Sequence, residues 1–117
     1  MKKFTLFLLC FSAFCLSCQE TTEFHHVLLY RWADDVEGPK KEKFLEIFKG
    51  LPSKIEGLNN VSLDLITNSS EDHDILITLH FSSDDNIKTY QNHPDHKTIE
   101  LMAADIIQDY DFFQFTK

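Results

Sequence analysis

The tract Tyr90-Gln91-Asn92-His93-Pro94-Asp95-His96 gathers three proton-handling side chains in one short segment. An imidazole has an ordinary pKa of about 6.5 and so exchanges its proton near neutrality. A tyrosine hydroxyl beside it can hold the ring by a hydrogen bond or pass a proton on. Pro94 suits the first turn of a helix, so His93 and His96 fall at a helix start, where free backbone N–H groups and the positive end of the dipole favour neutral rings. His96 is therefore a candidate base with Tyr90 as its partner. The competing reading is structural: His93 caps the helix, His96 bonds a loop carbonyl and Tyr90 fills core.

The other titratable groups carry less. The 6 histidines and 19 acidic residues invite a metal, but no His-Glu-x-x-His or comparable ligand pattern occurs, so neither a metal site nor a cofactor is expected. The clusters Asp34-Asp35-Glu37, Glu71-Asp72-Asp74 and Asp84-Asp85 fall in turns or helix starts and read as solvation and capping, and His73 reads as a solvated loop residue. There is no phosphate-binding glycine loop, nucleophile elbow or dinucleotide fingerprint. The formal charge of -8 opposes phosphate backbones, so nucleic acid is not an expected partner.

These side chains need elements to hold them. Phe24 to Trp32 reads as a strand, rich in apolar, aromatic and β-branched residues without a helical stripe. Gly38 and Pro39 open a helix whose Phe44, Ile47, Phe48 and Leu51 share one buried face. A short turn around Pro52 to Glu56 ends at Gly57, and Val61, Leu63 and Leu65 then alternate with polar residues as in a half-buried strand. A third strand spans Asp74 to Phe81. Ser83 caps a short helix bearing Ile87 and Tyr90, Pro94 opens a helix with Ile99, Met102, Ala103 and Ile106 inward, and a last strand runs from about Asp109 to Thr116.

The order βαββαβ predicts an α+β, ferredoxin-like domain over residues 24–117, a four-stranded antiparallel sheet with its helices on one face. Three of the strands are apolar on both sides: Val27 and Leu29 oppose Leu28 and Tyr30, Leu76 opposes Ile75 and Ile77, and Phe113 and Phe115 oppose Tyr110 and Phe112. The face away from the helices would then meet water in a monomer, which predicts a homodimer with its two sheets packed face to face, a dimeric α+β barrel. His25 and His80 fall on that outer face.

Residues 1–18 have the layout of an export signal: Lys2 and Lys3, an apolar run from Phe4 to Phe14, then Leu16-Ser17-Cys18. The run is shorter than the roughly 20 residues needed to cross a bilayer. The ending resembles the lipobox of bacterial lipoproteins, which implies lipid attachment at Cys18, a tether over residues 19–23, and an exported lipoprotein anchored to a membrane of the bacterial cell envelope. A signal cleaved elsewhere without lipid is the alternative. All 3 cysteines, Cys10, Cys15 and Cys18, lie in this segment, so the exported domain has no disulfide, zinc-thiolate site or cysteine nucleophile beyond Cys18 itself.

Three segments, His25-His26-Val27-Leu28-Leu29-Tyr30-Arg31-Trp32, Leu51-Pro52-Ser53-Lys54-Ile55-Glu56-Gly57 and Tyr90 to His96, resemble the stress-responsive A/B barrel domain, and the likeness runs from about Phe24 to Thr116. That family belongs to the dimeric α+β barrels and includes plant proteins induced by stress, bacterial proteins of unknown role and a polyketide cyclase that makes olivetolic acid. In the cyclase a tyrosine and a histidine of the segment matching Tyr90 to His96 form the acid-base pair, and a histidine on the first strand, here His26, lines the pocket. A further pocket histidine on the third strand is replaced by Ile75, which weakens transfer of that chemistry.

The resemblance also implies that His26, Leu28 and Tyr30 of the first strand, and Ile77 and Leu79 of the third, face the helices. With His93 they would line a mostly apolar pocket suited to a small aromatic or acyl molecule. The leading expectation is a membrane-anchored dimer that binds such a molecule. One alternative is a cofactor-free acid-base enzyme, cyclase-like or isomerase-like, using His96 and Tyr90. The other is a structural or stress-related interaction protein with no open pocket.

Overall fold

Along Ile75–Phe81 every second side chain is buried and the ones between are partly exposed, the alternation of a strand covered more fully on one side. The computed structural model describes residues 22–117, and the strand is the third of four: β1 (Phe24–Trp32), β2 (Leu58–Leu65), β3 (Ile75–Phe81) and β4 (Ile107–Thr116). The spatial order is β2-β3-β1-β4, with every neighbouring pair antiparallel. Three helices, α1 (Gly38–Gly50), α2 (Asp84–Gln91) and α3 (Pro94–Ile106), join a 3-10 turn at Leu51–Ser53. This is the ferredoxin-like βαββαβ arrangement, with α2 and α3 together filling the second helical connection.

Helices and sheet meet in one core. Phe44 and Phe48 of α1 are fully buried and pack edge to face with ring centroids 5.3 Å apart, and Tyr30 meets Phe44 at 5.6 Å. The expected stripe on α1 is realised with one change: Leu51 is buried, but in the 3-10 turn after the helix. Ile77, Leu79 and Phe81 of β3 join the same core, and Ile99 and Ile106 enter it from α3.

Several local details depart from expectation. β4 begins at Ile107, directly after α3, instead of near Asp109. The Ala33 N–H donates to the Ile106 carbonyl at 2.8 Å and Ile107 pairs with Trp32 across a bulge, so the helix end is already tied to the sheet and needs no loop. Ser83 occupies the N-cap of α2, but its hydroxyl donates to Asn86 Oδ1 at 2.7 Å and does not cap the backbone. Asp74 is more than a solvating carboxylate, since its Oδ2 accepts the Trp32 backbone N–H at 2.9 Å and ties the entry of β3 to β1. His73 is buried, not solvated: its Nε2 lies 3.0 Å from Asp111 Oδ2, because the loop before β3 lays the ring over the sheet.

The sheet face away from the helices carries His25, Val27 and Leu29 from β1, Leu76, Thr78 and His80 from β3, and Phe113 and Phe115 from β4, as the strand registers require. Phe113 is 48% exposed and Phe115 42%. The expected signal at 1–18, Cys18 and most of the tether at 19–23 lie outside the described residues. Among the described residues, no helix is long and apolar enough to cross a membrane.

Candidate functional site

The corner between α2 and α3 brings the Tyr90-to-His96 tract together. A residue before proline is held out of the helical region, and His93 is extended, with ψ 143°, so α2 stops and α3 starts in a new direction. His93 Nδ1 accepts the Asp95 N–H at 3.0 Å, capping α3, while the His93 N–H donates to the Tyr90 carbonyl at 3.1 Å. His93 is thereby committed to holding the corner and does not line the cavity beside it. Tyr90 at the end of α2 and His96 in the first turn of α3 meet edge to face, centroids 4.8 Å apart at 83°.

Beside this pair lies a cavity of about 590 Å³, between α3 and the β1–β4 half of the sheet. That volume suits a small organic ligand. His26, Leu28 and Tyr30 rise from β1, Tyr90 and His96 stand at one end, Ile99 and Ala103 form the α3 wall, and Tyr110 and Phe112 come from β4. Of the residues expected to line it, Ile77 and Leu79 do not: both are fully buried in the core, because β3 lies on the far side of β1 from β4.

The polar groups of the cavity differ in their electrostatics. Burial, with a smaller contribution from His96, holds the His26 pKa below its ordinary value, so His26 is kept neutral. Gln114 Nε2 lies 3.0 Å from His26 Nδ1, and with the amide donating, the His26 proton sits on Nε2. Burial pushes the Tyr90 phenol far above its usual range, with smaller contributions from Tyr30 and Glu100, and Tyr30 is raised for the same first reason. Both tyrosines therefore serve as O–H donors and not as phenolate bases.

Glu100 stands one helical turn beyond His96 and places Oε1 2.8 Å from His96 Nδ1. The contact has the distance of an ion pair but not the alignment of a hydrogen bond, and among the described residues Nδ1 has no hydrogen-bond partner. A carboxylate beside one ring nitrogen leaves Nε2 as the other atom of the ring for a ligand to meet. The His96-to-Glu100 spacing of i, i+4 was available in the sequence as a signal for this pair. Tyr110 and Phe112 carried no such sign, because both faces of β4 are aromatic.

A family model described as the stress responsive A/B barrel domain matches residues 24–115. The chain belongs to that family. No curated protein matches this A/B barrel chain. Among solved structures it is similar to a dimeric ferredoxin-like protein of unknown function from Thermobifida fusca, with 24% identity, 84% of this chain and 93% of that one covered, and a TM-score of 0.71. A dimeric protein of unknown function and ferredoxin-like fold from Bacteroides fragilis is 24% identical over 81% of this chain and 96% of its own, with a TM-score of 0.64. A hydroxynitrile lyase from Passiflora edulis reaches a TM-score of 0.73 at 6% identity, covering 81% of this A/B barrel chain and 93% of its own, a likeness of fold alone.

Proposed function

We propose that this A/B barrel protein is a dimeric, membrane-anchored binder of a small, largely apolar molecule held against His26, Tyr90 and His96. The observation that carries the reading is the cavity, whose Leu28, Ile99 and Phe112 offer apolar walls while the histidines and Tyr90 supply a few convergent polar groups. Neutral His26 and the Tyr90 hydroxyl suit a ligand with a carbonyl or hydroxyl on an aromatic or acyl body. Support for the dimer comes from the apolar outer sheet face and from the dimeric relatives of this fold. Support for the anchor comes from the signal-like sequence ending at Cys18.

Native mass spectrometry of the protein purified from its host membranes tests all three parts. The expected spectrum holds an acylated dimer with a retained small molecule, and Ala104→Trp, which places an indole in the cavity, abolishes that retained mass. An unacylated chain, a monomer, or a retained mass indifferent to Ala104→Trp would each remove the corresponding part.

The second reading, a cofactor-free acid-base catalyst, is favoured by the approach of Glu100 to His96 beside Tyr90. In it, His96 Nε2 takes a proton from the ligand, Glu100 steadies the resulting imidazolium and the Tyr90 O–H donates to the developing oxyanion. Turnover of a bound ligand that falls at least about ten-fold in Glu100→Gln, with binding unchanged, would establish it. Binding without turnover in the wild type leaves the first reading.

A further inference from the structure

The outer face of the sheet holds a second convergent group of side chains, remote in function from the cavity. His25 and His80 are directly opposed across β1 and β3, with ring centroids 4.4 Å apart. Glu23, just before β1, places Oε2 3.1 Å from His25 Nε2. One ligand-capable atom from each of the three residues lies within 4.8 Å of the others. Antiparallel pairing imposes this convergence, because directly opposed side chains on one face stand about 5 Å apart.

We propose that Glu23, His25 and His80 form a binding site for a borderline divalent transition ion of the zinc or cobalt class. Two imidazole nitrogens and one carboxylate oxygen are the donor set such ions prefer over magnesium or calcium. Ligands about 2.1 Å from a tetrahedral ion stand about 3.4 Å apart, so the most widely spaced atoms need to close by up to roughly 1.4 Å, a movement side-chain rotation can supply. The Nε2 proton that His25 directs at Glu23 would sit on Nδ1 once the ion arrives, so that the ring ligates as its neutral tautomer, and both groups would turn to the ion.

The surroundings fit that role. His25 is buried, and its ring is flanked by Phe115 at 4.5 Å, which fixes its orientation. A neutral imidazole is the form that ligates such an ion. Ser62 Oγ lies 3.5 Å from His80 Nε2 and can support the ring from outside the ligand set. Lys117 is the opposing cation near His80, and Glu23 counters it. The ion would clip the entry of β1 to the end of β3 on the sheet face that the proposed dimer covers. This assignment stands whether or not the cavity binds a ligand.

The test is titration of the full chain, its thiols capped by alkylation, with aqueous Co²⁺, read by the cobalt absorption spectrum and by metal content after gel filtration. One ion per chain at micromolar cobalt, with the intensified absorption of a low-coordinate ion and displacement by zinc, is the expected result. His80→Phe, which keeps a ring of similar size on the face, abolishes uptake at unchanged melting temperature, and Glu23→Gln weakens it at least about ten-fold. No uptake below millimolar cobalt, or uptake that survives both His80→Phe and His25→Phe, overturns the assignment.

Discussion

His26 illustrates how one side chain can belong to both the fold and the site. Its ring lies on the β1 face beneath Tyr90 and Phe112, and burial keeps it neutral. The linkage has a definite sign. A histidine whose folded pKa is lowered binds fewer protons than it does in the unfolded chain, so its contribution to stability is full above about pH 6.5 and is lost as pH falls towards the folded value. The wild type should therefore lose stability relative to His26→Gln between about pH 7.5 and pH 5.5, as measured by urea midpoints at each pH. Parallel pH curves for the two proteins would contradict this account. An NMR titration of the His26 ring should have its midpoint below about 6.5.

At the scale of elements, two short connections set the geometry of everything near them. The first is the cap of α3. His93→Ala removes the acceptor for the Asp95 N–H and should cost about 1 kcal/mol in urea unfolding, the usual penalty for an uncapped helix start. The second is the turn into β2. Gly57 sits at φ +81°, and a Cβ there would occupy the space of the Asn86 side chain, whose Nδ2 donates to the Glu56 carbonyl at 3.2 Å. Gly57→Ala should therefore destabilise the domain by at least about 1–2 kcal/mol through left-handed strain alone, with the loss of the Asn86 bond in addition. A thermal melt equal to that of the wild type would show that the turn relaxes at no cost.

For the whole molecule, the governing fact is a sheet with two apolar faces and, among the described residues, helices on only one of them. Val27 is 3% exposed at the middle of the outer face, but Phe113 and Phe115 beside it are close to half exposed. Burying such rings is worth on the order of 1.5–3 kcal/mol each, and a second copy of the same face is the proposed cover. Phe113→Asp should convert the dimer to a monomer by light scattering at micromolar concentration while leaving the far-ultraviolet dichroism intact. A wild-type protein that is monomeric under those conditions removes the dimer from the proposal.

Much of the fold was legible in the sequence because it rests on local periodicity. The strand over Phe24 to Trp32, the α1 face of Phe44 and Phe48, and the helix opened by Pro94 each follow from spacing that needs no partner to be recognised, and the order of elements then limits the topology. The Tyr90-to-His96 tract was legible for the same reason, since the chemistry and the turn sit on neighbouring residues. Contacts made across the sheet were not. That β4 and not β3 walls the cavity follows from the order β2-β3-β1-β4, so Tyr110 and Phe112 line it while Ile77 and Leu79 are sealed in the core. The burial of His73 against Asp111 and the opposition of His25 to His80 are likewise matters of long-range register. Sequence alone thus determined the elements and the residues able to do chemistry; tertiary structure decided which of them meet, because strand pairing joins residues far apart in the chain and carries no local signal.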